Sequence, residues 1–206
     1  MGSIENNLQE VKRRISGAAL AAGRPPAAVR LLAVSKTFGA DVVRQAHAAG
    51  QRAFGENYVQ EALEKIQALA DLRPGIEWHL IGPLQSNKTR AAAEAFDWVH
   101  SVDRLKVAQR LAEQRPAWLP PLQLCLQVNV SGEASKSGVL PAEAAALALA
   151  VAALPPERGG PRGRLCAGGG PGGRGWRGSG DCAPAGRPHP RAVARFTSCA
   201  EALPCV

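Results

Sequence analysis

The stretch that decides the architecture is Val29-Arg30-Leu31-Leu32-Ala33-Val34-Ser35-Lys36-Thr37. It is a short, apolar, β-prone run that breaks at Lys36 into polar residues, as a buried strand does at its exit. Upstream, residues 3–22 read as an amphipathic helix, because Ile4, Leu8, Val11, Ile15 and Ala18 recur at steps of four and three. Ser3 is its expected N-cap, and Gly23 with Pro25-Pro26 its stop. Downstream, the strand-then-helix rhythm repeats. Residues 40–49 read as a helix, and 52–54 as a strand before a helix over 58–72. Further strands are expected at 78–81, 98–102 and 122–130, each followed by a helix, over 86–95, 104–114 and 141–153.

Strands alternating with helices at about 20–25 residues per unit indicate a parallel sheet. An open doubly wound sheet and a closed (β/α)8 barrel both fit. The units are short and even, and polar clusters follow nearly every strand, which favours the barrel, with its function on the loops after the strands. Eight units need about 230–250 residues. The reading is therefore an α/β chain of (β/α)8 TIM-barrel type, truncated after about five β/α units.

Composition agrees with a globular body. Of 206 residues, 46% are apolar and 20% charged, enough apolar mass for a core. The longest apolar stretch, Ala142 to Leu154, is shorter than the ~20 residues of a membrane span. The N-terminus carries acids and no apolar run of signal-peptide type, so a cytoplasmic location is expected. The averages conceal a break after Pro155. Residues 156–206 hold 12 of the 22 glycines, 7 of the 16 prolines and 8 arginines against three acids. That segment supplies +5 of the formal +8 charge, so the basic balance belongs to the tail. The expected domains are a partial barrel over 1–155 and a Gly/Arg/Pro-rich tail over 156–206.

Four strand exits carry candidate chemistry. Lys36 leaves the first strand at its carboxyl end. Desolvation there would free its amine for nucleophilic attack on a carbonyl compound, and snorkelling into solvent is the alternative. Glu56 and Asn57 follow the second strand, where they can cap the next helix while facing the barrel mouth, as caps alone or as ligand contacts. His79 alternates with Trp78 in the third, as an inward acid–base group or a satisfied core residue. Ser86 and Asn87 read as helix caps. Asn129 ends the fifth strand, and Lys136 lies in a small-residue loop that would meet an anion or simply solvent. No metal-ligand spacing is present: Cys166, Cys182, Cys199 and Cys205 form no C-x-x-C pair. No Walker A or G-x-G-x-x-G motif opens a helix after a strand.

Taken in order, AVSKT at 33–37, FGENYVQE at 54–61, WHLIGPLQSNKTR at 78–90, SVDR at 101–104 and QVNVSGEASKSG at 127–138 form a specific set. It resembles the pyridoxal phosphate homeostasis protein family, of the YggS/PROSC type, over residues 1–155. The resemblance implies a fold-type III barrel like the N-terminal domain of alanine racemase. It implies that Lys36 forms the internal aldimine with pyridoxal 5′-phosphate, with Asn57, His79 and Lys136 near the cofactor. It also implies storage and delivery of the cofactor to pyridoxal-phosphate-dependent apo-enzymes, by a monomer, with no defined turnover. No catalytic residue is assigned, because no second acid–base group stands opposite Lys36 and the only tyrosine is Tyr58.

The tail departs from that pattern. The strands that would carry the phosphate-holding loops are replaced by PERGGPRGRLCAGGGPGGRGWRGSGDC. Its residues are those of GC-rich codons, so a shifted reading frame is expected, with a disordered or poorly packed tail. Five strands cannot close a barrel, so exposed strand edges, an unstable body and weakened cofactor binding are expected. Two rival functions remain: an amino-acid racemase or decarboxylase of the same cofactor class, and RNA binding through Arg174-Gly175-Trp176-Arg177-Gly178. Nucleic acid is the weaker of these, since a misframed gene yields the same residues.

Overall fold

The computed structural model describes residues 3–154. The expectations for 156–206, covering disorder, the arginine–glycine stretch and the four tail cysteines, lie outside the described residues. The chain divides into two compact units, Met1–Val99 and His100–Val206.

In the first unit, α1 (Ile4–Ala21) begins at Ser3, whose Oγ accepts the Asn6 N–H at 3.2 Å, as an N-cap requires. Its shielded stripe runs Ile4, Leu8, Lys12, Ile15, Ala19, leaving Val11 and Ala18 more exposed. The sequence pattern thus chose a slightly rotated face. After a 3-10 turn at Pro26–Ala28 the chain enters β1 (Ala33–Val34), α2 (Ala40–Ala48), β2 (Ala53–Glu56), α3 (Val59–Ala68), β3 (Glu77–Leu80) and α4 (Thr89–Ala95). The strand β4 (Trp98–Val102) follows. The predicted strand over 29–35 shrinks to two residues, because only Ala33 and Val34 pair with β2, opposite Phe54 and Gly55. The predicted helix over 58–72 ends at Ala68 and passes into a 3-10 segment that contains Pro74.

The strand order is β1-β2-β3-β4-β5, with β5 at Gln123–Leu126. Pairing is parallel for β1–β2, β2–β3 and β3–β4. The register sets Val34 beside Gly55, Gly55 beside His79, and His79 beside Trp98. Period-two alternation then separates two faces. Val34, Gly55, His79 and Trp98 share one, while Ala33, Phe54, Trp78 and Leu80 share the other. The ring contacts agree: Phe54 lies 6.0 Å from Trp78, and His79 stacks on Trp98 at 5.4 Å. The second face packs against the helices. Trp78, Phe54, Leu80 and Phe96 are fully buried, each contributing about 1.5–3 kcal/mol.

In the second unit, α5 (Leu105–Gln114) buries Val107, Ala108 and Leu111. The Gln127 N–H donates to the Val102 carbonyl at 2.8 Å beyond the end of β5. The predicted fifth strand over 122–130 is therefore shorter, with a separate parallel bridge between Val128 and Val139. Pro141 opens α6 (Pro141–Ala152) in the first-turn position, where no backbone donor is needed. Among the described residues, no helix is long and apolar enough to cross a membrane.

Candidate functional site

The site is built at the carboxyl end of β1. Ser35 extends the ladder, its N–H donating to the Gly55 carbonyl at 2.9 Å. Its side chain points to the helix side, where Oγ–H donates to Glu56 Oε1 at 2.6 Å. Alternation therefore turns Lys36 to the opposite face, that of Val34, Gly55 and His79. Lys36 is exposed, and its amine has no hydrogen bond or ion pair among the described residues. The expectation of a dry strand end is corrected. The strand stops at Val34, which is itself 46% exposed on the same face, so Lys36 stands in solvent.

The backbone around Lys36 is held on both sides. Lys65, on α3, donates to the Ser35 carbonyl at 2.7 Å. The same ammonium reaches Glu56 Oε1 at 2.9 Å, Glu56 Oε2 at 3.0 Å and Glu61 Oε1 at 2.7 Å. Glu61 Oε1 in turn accepts the Thr37 N–H at 2.8 Å. These bonds hold the Glu61 carboxyl below the usual carboxylate range, the Lys65 hydrogen bond being the larger cause and the Thr37 N–H the next. Thr37 has φ 68°, an uncommon left-handed backbone for a β-branched residue.

Glu56 is the group that sequence reasoning misread. It neither faces the mouth nor caps α3: it is fully buried against Lys65, and the N-cap position of α3 is Tyr58, with no side-chain cap. The nine-residue spacing of Glu56 and Lys65 gave no helical or strand period to detect. Ser86 and Asn87 likewise form a 3-10 turn, and α4 has no side-chain cap.

Asn57 is half-buried just beyond β2, and its amide has no hydrogen-bond partner among the described residues. Gly82 crosses directly over it: a Cβ there would lie 2.2 Å from the Asn57 carbonyl oxygen, so only glycine permits the approach. His79 is buried on the Lys36 face, with its Nε2–H donating to Glu77 Oε1 at 2.7 Å. Arg30 approaches the same Glu77 oxygen at 2.9 Å. Glu77 is held below the usual carboxylate range, chiefly by the His79 hydrogen bond and then by Arg30, against partial burial. His79 thus shares the face of Lys36, with Nε2 engaged by Glu77.

In the first unit, register and alternation put Lys36 and His79 on one face of the sheet, with Asn57 just beyond β2. Lys136 belongs to the second unit, exposed, with Nζ 2.6 Å from Glu133 Oε1. Its loop is organised by Asn129, which donates to the Glu133 and Lys136 carbonyls at 2.9 and 3.1 Å. Asn129 Oδ1 accepts from Ser131 Oγ and the Gly132 N–H. Gly138, at φ 135°, closes the loop where a Cβ would meet the Asn129 nitrogen at 2.6 Å.

The donor set suits a carbonyl-bearing, anionic ligand. Lys36, outside any ion pair among the described residues, supplies a nucleophile, and the Asn57 amide, unpartnered among the same residues, supplies a hydrogen-bonding group. Comparison with known proteins agrees with that chemistry. The family model described as alanine racemase, N-terminal domain, matches residues 1–159. A pyridoxal phosphate homeostasis protein of Pseudomonas aeruginosa is 66% identical over 155 residues, covering 75% of this chain and 66% of the relative. Its counterpart in Escherichia coli K12 is 55% identical over 156 residues, covering 75% and 67%. The chain spans about two thirds of the length of these curated relatives. Among solved structures, PipY of Synechococcus elongatus, with PLP bound, is 42% identical with a TM-score of 0.61, covering 76% of this chain and 69% of that one. An alanine racemase from Corynebacterium glutamicum, 19% identical, shares the fold at a TM-score of 0.53 over 80% of this chain and 43% of that one. Sequence and fold together show that this chain belongs to the alanine racemase N-terminal-domain family, alongside the pyridoxal phosphate homeostasis proteins.

Proposed function

We propose that this chain binds pyridoxal 5′-phosphate covalently at Lys36 and serves in its storage and delivery in the cytoplasm, without a turnover reaction of its own. The observation that carries the reading is Lys36 itself: an unpaired amine at a strand exit, its flanking backbone pinned, on the face that also carries His79. The relatives' name and PipY's bound PLP support the choice of ligand. When bound, the cofactor supplies an aldehyde that condenses with a neutral amine.

The chain's own residues divide the remaining work. Asn57, just beyond β2, presents a side-chain amide with no hydrogen-bond partner among the described residues. His79, fixed by Glu77 and stacked on Trp98, walls the inner face. In the second unit, Lys136 sits on an Asn129-ordered loop and pairs with Glu133. Delivery is to pyridoxal-phosphate-dependent apo-enzymes, and the protein acts as a monomer.

The test is an absorbance spectrum of the full chain with added pyridoxal phosphate, before and after borohydride, followed by peptide mapping. Label at Lys36, absent in Lys36→Ala, is the expected result. Label elsewhere in a folded sample overturns the reading. Incubation with a panel of D- and L-amino acids separates storage from racemase or decarboxylase turnover: consumption that depends on Lys36 would replace storage with catalysis.

A further inference from the structure

We infer that Glu61 and Lys65, with Glu56 behind them, are positioning residues for Lys36, clamping the Ser35–Thr37 backbone from the helix side of the sheet. This deepens the proposed function and rests on Lys36 being the bond-forming amine. Glu56 and Lys65 are buried and Glu61 is partly exposed. They act through the main chain on either flank of Lys36, one bond to the Ser35 carbonyl and one to the Thr37 N–H.

The arrangement is more elaborate than packing requires. Lys65 is 7% exposed and Glu56 0%, and buried ions of this kind persist only when their hydrogen bonds are satisfied. Here each bond of the ammonium lands on a group tied to the Lys36 turn: the Ser35 carbonyl, the Glu56 carboxylate that also receives Ser35 Oγ–H, and the Glu61 oxygen that receives Thr37. A left-handed β-branched residue next to the amine is strained, and such strain persists only where surrounding contacts over-determine the backbone. Glu61 supplies that contact from α3. The clamp so fixes the direction in which the Lys36 side chain leaves the strand, while the amine meets no carboxylate among the described residues.

The experiment compares the full-length wild type with Glu61→Ala and Glu61→Gln. Two readouts are taken: amide hydrogen exchange over residues 35–38, and the rate of borohydride-trapped pyridoxal phosphate labelling at Lys36 relative to exposed Lys106. Glu61→Gln retains an acceptor for Thr37, so it is the rescue variant. The expected result is loss of Thr37 amide protection in Glu61→Ala, with Lys36 labelling falling about tenfold against Lys106, the scale of a lost hydrogen bond to a charged group. Glu61→Gln should stay within about threefold of wild type. Unchanged protection or unchanged relative labelling in Glu61→Ala overturns the inference, as does an equal fall in both variants. If wild type itself gives no label at Lys36, the proposed function fails; Thr37 exchange then still decides whether the clamp exists.

Discussion

Lys65→Met isolates the energetics of the buried network. The substitution keeps the aliphatic stem and removes the ammonium. Glu56, whose side chain is 0% exposed, then keeps only the Ser35 hydroxyl as a donor among the described residues. Removing one partner of a buried ion pair costs about 3–5 kcal/mol, since the other charge is left uncompensated. Glu61, with 32% of its side chain exposed, is solvated by water and adds little to this figure. Against a total stability of about 5–15 kcal/mol, the loss is a large fraction. Urea unfolding of the full chain, followed by tryptophan fluorescence, measures it. The double variant Glu56→Gln/Lys65→Met removes the stranded charge as well, and should recover at least ~2 kcal/mol of the single variant's loss. A single-variant loss below about 1 kcal/mol, or a double variant no better than the single, would refute the reasoning.

Three further outcomes follow from the same geometry. Gly82→Ala drives a Cβ onto the Asn57 carbonyl, backbone against backbone, and should cost about 1–3 kcal/mol by urea unfolding; a neutral result would mean the approach is looser than described. Thr37→Gly relieves a left-handed β-branched residue while keeping the N–H that Glu61 holds, so the thermal midpoint should rise, by up to about 1 kcal/mol of stability after the entropy of glycine is counted; a clear fall would show Thr37 to be unstrained. Glu61 and Glu77 both have folded-state pKa values below their ordinary ones, so their stabilisation is present above the unfolded carboxyl range, near pH ~4.3, and is lost as pH falls through the folded values. The gap in thermal midpoint between wild type and Glu61→Gln should therefore narrow below about pH 4, and a gap that stays constant with pH would contradict the assignment.

Much of the fold was legible in residue order alone. Apolar runs punctuated by polar exits reported the β/α rhythm, because a strand covered by helices has little use for polar side chains until it ends. Trp98–Val102 was read to the residue, and Ser3 and Pro141 took their expected terminal roles because capping is local chemistry. Lys36 stood out because it follows directly on an apolar run, and Asn57 because it lies in the polar segment Gly55-Glu56-Asn57 after the second strand. What the order of residues could not reveal was direction and partnership. Whether Glu56 looked to the ligand side or to the helices depended on the pairing of Gly55 with His79 and on where α3 set Lys65. Whether Lys36 was dry depended on a strand that stops at Val34. The bond between Glu61 and Thr37 joins residues 24 apart in the chain. Such contacts have no period, so only the folded chain, by bringing α3 against the end of β1, decides how the Lys36 amine is held.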